Sequence, residues 1–151
     1  MNTTERFEKV GIDRLIPYAR NARIHSKEQI KQLRASLREF GFVNQCIIDK
    51  DYNIIAGHGR VMAAKEEGIE SVPCVFSFHL TDAQKRAYIL ADNRLTLNAG
   101  WDNEMLSVEL SDLQASAFDL SLLGFSDAEM NKLLTPEDIQ DDDYDLTAAL
   151  E

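Results

Sequence analysis

Hydrophobic positions along this chain switch between two periods, and the switches mark out its elements. FEKVGID (7–13) and the following RLIPY read as an extended start, ended by Pro17. From Ser26 the period changes. Ile30, Leu33, Leu37 and Phe40 recur at three- and four-residue spacing in SKEQIKQLRASLREFGF. The pattern predicts an amphipathic helix, opened by an S-x-x-Q capping box (Ser26, Gln29) and stopped by Gly41. QCIID (45–49), a turn over Lys50–Asn53 and IIA (54–56) predict a hairpin or two short neighbouring strands. RVMAAKEEG reads as a short helix closed by Gly68, and VPCVFSF (72–78) as another strand. TDAQKRAYILADNRL carries a second capping box, Thr81 with Gln84, and reads as a helix. WDNEMLSVELSDL and SDAEMNKLL read as two further helices, the latter opened by Ser126 with Glu129.

The result is an α+β chain: an αβ core over 1–80, a helical part of the same domain over 81–134, and an acidic tail or linker over 135–151. That last stretch has seven acids and no base, and is expected to be disordered. A length of 151 residues suits one ordinary domain with a core. Neither a run long enough to span a bilayer nor the apolar core of a signal peptide is present, so the expected location is the cytoplasm with no membrane partner. Cys46 and Cys74 sit in apolar stretches and read as buried structural thiols.

Charge adds a direction. The net charge of −10 divides into +5 over residues 1–65, −8 over 66–134 and −7 over 135–151. A basic first half inside an acidic chain suggests a localised anion site, and argues against tight nonspecific DNA binding by this chain alone. Lys27, Lys31, Arg34 and Arg38 form a stripe beside the apolar face of the first helix, which is either a solvated cationic surface or a contact for phosphate or DNA.

The candidate chemistry centres on Gly57-His58-Gly59-Arg60, where a strand hands over to a helix. Such a turn gathers backbone N–H groups and the positive end of a helix dipole, the arrangement that binds phosphates. Gly57 and Gly59 admit close backbone approach, Arg60 offers a forked donor, and His58 a hydrogen bond or a base. A simple turn accounts for the same residues. Arg20, Asn21 and Arg23 lie in a loop before the basic helix. Asp92, Asn93 and Arg94 are placed after a later helix, where Asp92 and Asn93 offer oxygens suited to a magnesium ion escorting a phosphate.

The order N-x-R, amphipathic helix ending in Gly, two short strands, G-x-x-R-x-x-A, strand, helix and acid-Asn resembles the ParB/sulfiredoxin superfamily. The motifs IIAGHGRVMAA and YILADNRLTLNAGW carry it over roughly residues 8–125. They most resemble ParB-like N-terminal ("ParB-like nuclease") domains of phage and prophage type, often linked to DNA methyltransferases. The resemblance implies the ParB/sulfiredoxin-like small mixed sheet with flanking helices, and a nucleotide site. Asn21, Arg23, Gly57, His58, Gly59 and Arg60 would take the triphosphate of CTP or ATP, with Mg2+ at Asp92 and Asn93. His58 and Asp92 are the candidate catalytic groups. Nucleotide, DNA, a methyltransferase domain or other phage protein, and a second copy of the chain are the implied partners. The function expected is regulation or recruitment of a DNA-modifying activity. The alternatives are a DNA-binding protein or metal-dependent nuclease, and a protein-docking module in which the glycines only turn the chain. His58 stands where sulfiredoxin needs a cysteine, so sulfiredoxin chemistry is not expected. The short acidic helices after residue 100 show no helix-turn-helix pattern.

Overall fold

The computed structural model describes residues 5–19, 21 and 23–135; Arg20 and the acidic stretch beyond Thr135 lie outside the described residues. The element order is β1 (Glu5–Gly11), a 3-10 turn (Ile12–Arg14), α1 (Lys27–Phe40), β2 (Cys46–Ile48), β3 (Ile54–Ala56), α2 (His58–Glu66), β4 (Ser71–Ser77) and α3 (Asp82–Leu97). Then follow α4 (Asn103–Ala115), a second 3-10 turn (Leu120–Leu123) and α5 (Asp127–Leu134). The chain divides into two compact units, Met1–Ala99 and Gly100–Glu151. The first thus includes α3, although the last strand ends at Ser77.

In the first unit the strands form one mixed sheet in the order β1-β4-β2-β3. β1 runs antiparallel to β4, β4 parallel to β2, and β2 antiparallel to β3. The parallel pair sets Cys46 opposite Cys74, and both thiols are reduced and buried, as their apolar surroundings predict. Ile48, Ile54, Val72 and Phe76 fill the core from the sheet. Ile30 and Leu37 of α1, with Val61, Ala63 and Ala64 of α2, join the same core. The two small alanines let α2 approach the sheet closely. Phe40, at the end of the helical apolar stripe, stays 45% exposed at the rim.

The predicted hairpin forms, and a buried carboxylate holds its turn. Asp49 Oδ1 accepts the backbone N–H groups of Asp51 and Asn53, each at 2.9 Å. Its other oxygen accepts from Asn53 Nδ2 and from Lys85 Nζ of α3, each at 3.0 Å. Burial pushes the Asp49 carboxyl up, yet the hydrogen bonds from Asn53, Lys85 and the turn amides prevail and hold it below the usual carboxylate range. A single side chain therefore fixes the turn and ties the start of α3 to it.

In the second unit, Asp102 and Ser126 cap α4 and α5 through hydrogen bonds from Met105 N–H and Glu129 N–H. Ser107 Oγ donates to the Leu133 carbonyl at 2.7 Å, joining the two helices beside the buried Leu110. The rings of Trp101 and Phe125 pack with centroids 5.6 Å apart.

A carboxyl whose folded pKa is depressed contributes stability above its unfolded value of 3.8 and loses it as pH falls through the folded value. Urea unfolding of Asp49→Asn should show a loss of about 1–3 kcal/mol at pH 7. The loss should shrink on acidification below about pH 4, as the wild type gives up the same bonds.

Candidate functional site

β3 ends at Ala56 and α2 begins at His58, so one residue must turn the chain. Gly57 does so at φ +103°, in the left-handed region. A Cβ there would also meet Cys46 Sγ at 2.9 Å and Cys46 Cα at 3.4 Å. Glycine is required twice, for its conformation and for the space. Gly57 O accepts the first helical bond, from Val61 N–H at 3.0 Å. The N–H groups of His58, Gly59 and Arg60 then have no acceptor within the helix, and the dipole's positive end lies among them.

Gly59 is needed for space alone. A Cβ on it would meet His25 Cε1 at 2.9 Å and both His25 Nδ1 and Leu33 Cδ1 at 3.1 Å. The His25 ring is held in place by Gln29, whose Oε1 lies 2.8 Å from Nδ1. The predicted capping box of α1 is therefore half made. Ser26 Oγ accepts from Gln29 N–H at 3.0 Å, but the Gln29 side chain reaches His25 instead of returning to Ser26.

His58, the first residue of α2, receives the Tyr18 N–H on Nε2 at 3.2 Å. The neutral ring then carries its proton on Nδ1. Burial, and next the charge of His25, hold His58 below the ordinary histidine range. With its basic lone pair engaged, His58 is set up as a hydrogen-bond donor; acting as a base would first break the bond to Tyr18.

The loop residue Asn21 organises its own segment, its Oδ1 accepting from Arg23 N–H at 3.2 Å. Asp92 and Asn93 do not follow a helix, as the sequence reading expects: they lie inside α3, where no helix breaker occurs before Asn98. Asn93 Nδ2 donates to the Ile89 carbonyl at 2.9 Å, which leaves its oxygen for a ligand. Asp92 is exposed.

These parts meet. One cavity of about 240 Å3 is lined by Asn21, Arg23, Gly57, His58, Gly59, Arg60, Asp92 and Asn93, the whole set nominated for nucleotide and magnesium. His25, Gln29 and Thr96 line it too, and sequence reading misses them. Thr96 lies one turn beyond Asp92, so a longer α3 would have revealed it. His25 carries no such signal. A second, more apolar cleft of about 410 Å3, formed by Pro17, Tyr18, Ile54, Val61 and Met62, shares Asn21, Arg23, His25 and His58 with the first. Among the described residues of the first unit, no carboxylate makes an ion pair with Arg23 or Arg60.

The basic stripe divides. Arg34 Nε meets Glu67 Oε1 at 2.7 Å and its Nη1 meets Glu66 Oε2 at 3.3 Å, while Arg38 also pairs with Glu67. The Arg34 hydrogen bond is the main cause holding the Glu67 carboxyl below its usual range. Arg34 and Arg38 thus clamp α1 to the C-terminal end of α2, and Lys27 and Lys31 stand outside the clamp, exposed. Among the described residues, no three His, Cys, Asp or Glu side chains are grouped to hold a metal ion by themselves, and no helix is long and apolar enough to cross a membrane.

Residues 1–94 match the ParB N-terminal domain family, and the chain belongs to it. Residues 104–151 match the ParB-methyltransferase HTH domain, whose described part comprises α4, the second 3-10 turn and α5. That match corrects the expectation that no helix-turn-helix follows residue 100. The chain is 51% identical over 75 residues, half its length, to the ParB-like nuclease domain-containing protein YnaK of Escherichia coli K12, and covers 86% of that protein. Among solved structures it is similar to the C-terminally truncated chromosome-partitioning protein ParB of Caulobacter crescentus complexed with CTP-gamma-S. The TM-score is 0.70 at 18% identity, over 85% of this chain and 77% of that one. The same protein complexed to the centromeric parS site gives a TM-score of 0.50 at 17% identity, over 84% and 70%.

The double demand on Gly57 is open to a direct check. Gly57→Ala should lower stability by about 2–4 kcal/mol, from left-handed strain plus overpacking against Cys46. Gly68→Ala, at φ +74° with nothing within 4 Å of the added methyl, should lose only about 1–2 kcal/mol in the same denaturant titration.

Proposed function

We propose that the first unit binds a magnesium–nucleoside triphosphate, CTP or ATP, and that nucleotide occupancy regulates or recruits a DNA-modifying activity, a methyltransferase, in phage or plasmid DNA metabolism. The observation carrying this reading is the convergence of three separate segments on one cavity: the Asn21–Arg23 loop, the Gly57–Arg60 turn and the Asp92–Thr96 stretch of α3. A turn serving only to reverse the chain would need neither Arg23 nor the α3 oxygens.

Each segment supplies a different part of the recognition. The helix start and Arg60 offer donors to phosphate oxygens. Asp92 and the side-chain oxygen Oδ1 of Asn93 would hold the magnesium ion, a hard cation that takes oxygen ligands and neutralises phosphate charge. The adjoining apolar cleft suits a flat, poorly charged moiety such as a base, which a bare phosphate lacks. The solved structure of the similar Caulobacter protein contains a CTP analogue, which favours CTP as the first ligand to try.

A second reading concerns DNA. The helix-turn-helix match over 104–151 favours DNA contact through the second unit, in line with a similar protein solved on its parS site. Lys27 and Lys31 remain the candidate phosphate contacts on α1, because Arg34 and Arg38 are engaged with α2. The metal-nuclease alternative finds no cluster of ligands among the described residues to support it. A nucleotide-bound pair of chains would suit a switch that loads onto DNA, and sedimentation with and without nucleotide would reveal it.

Calorimetric titration of CTP, ATP, GTP and UTP, each with magnesium, tests the main reading. One nucleotide should bind saturably, and Arg60→Ala should weaken it at least about tenfold. Absence of heat with all four, on folded protein, would refute the nucleotide site.

A further inference from the structure

We propose that His25 is a direct phosphate-binding residue, its imidazole filling the volume that a side chain at position 59 would otherwise occupy and offering Nε2 to a phosphoryl oxygen. The inference deepens the nucleotide reading and rests on it.

Three observations carry it. First, the ring belongs to the site: it lines both the phosphate cavity and the apolar cleft, at their junction. Second, α2 makes room for it. Gly59 is buried in ordinary helical backbone, where alanine is intrinsically preferred, yet its missing Cβ is what lets Cε1 and Nδ1 of His25 come so close. A helix gives up stability there to seat an imidazole beside its first turn. Third, the ring is aimed. Gln29 leaves its capping box half made to hold Nδ1 at 2.8 Å, so Nε2 is the nitrogen left for a ligand.

The two histidines therefore divide the work. His58 has Nε2 engaged by Tyr18 and offers only Nδ1–H. His25 has Nδ1 engaged and offers Nε2. In its doubly protonated form the His25 ring donates from Nδ1 to Gln29 Oε1 and from Nε2 to the phosphate, a charge-assisted bond. The charged side chains sharing the cavity are Arg23, Arg60 and Asp92. In that form His25 adds to the two arginines a third donor that comes from outside the glycine turn. A ligand rich in phosphoryl oxygens, such as a triphosphate, has enough acceptors to engage all three.

The test pairs calorimetry with imidazole NMR on the full chain, with magnesium–CTP and inorganic tripolyphosphate as probes. On wild-type protein, tripolyphosphate should shift the His25 Nε2 and Hε1 resonances, a readout that needs no mutant. His25→Ala should weaken tripolyphosphate and nucleotide roughly tenfold, with little change in unfolding midpoint. Gln29→Leu, which keeps the ring but releases Nδ1, should weaken both by a smaller factor. If the wild type binds, Arg60→Ala abolishes binding, and yet the His25 resonances and the His25→Ala affinity do not change, this inference falls while the nucleotide reading stands. If folded wild-type protein binds neither tripolyphosphate nor any magnesium nucleotide, both fall.

Discussion

The site depends on one close approach: Cys46 occupies the space into which any side chain on Gly57 would have to project. That contact sets where β3 stops and in which direction α2 leaves, and so where the unpaired N–H groups of the helix start are aimed. A methyl group at 57 would push the turn off β2 and carry the start of α2 with it. The helix is fixed again at its other end, where Glu66 and Glu67 meet Arg34 and Arg38 of α1. Between the two ends, Gly59 lets the start of α1 press against the first turn of α2. α2 is short, and packing at one end and charge at the other orient it.

α3 is placed by a different device. Lys85 bonds Asp49 near the helix start, and Asp92 lies two turns further along the same face. Ile89, between them, is buried, and Thr96 continues the stripe into the cavity. The oxygens of Asp92 and Asn93 are thereby referenced to the hairpin turn through a buried carboxylate. One helix thus serves two tasks with one face: its first half is structural and its second half lines the cavity.

Much of this was legible in the sequence because local rules decide it. Ser26, Thr81 and Ser126 each cap the helix predicted from them, and the glycine turn falls between strand and helix as its composition demands. What escaped depends on partners far along the chain. The stripe of Lys27, Lys31, Arg34 and Arg38 reads as four equal cations until Glu67, about thirty residues later, is seen to take two of them. Gln29 is an equally good partner for the Ser26 N–H and for His25, and no sequence rule chooses between them. The Asp92–Asn93 pair reads as a helix end because acid-amide pairs favour turns. Packing of Ile89 and the Lys85 anchor carried the helix through it. The helix-turn-helix was obscured by its charge: acidic, short helices do not look like DNA readers, and the small core of Leu110 with the Ser107 tie is a weak signal.

The buried thiol under the turn gives the molecule an internal clock. Burial, chiefly, pushes the Cys46 thiol up to about 12, and its surface is wholly covered, so no alkylating reagent reaches it while Gly57 is seated. Its rate of modification would then count the moments when the turn lifts away from β2, and a ligand resting on that turn would make them rarer. Natural chemistry has left a reporter beneath the floor of the site, one that reads the opening of the cradle without a label added to its surface.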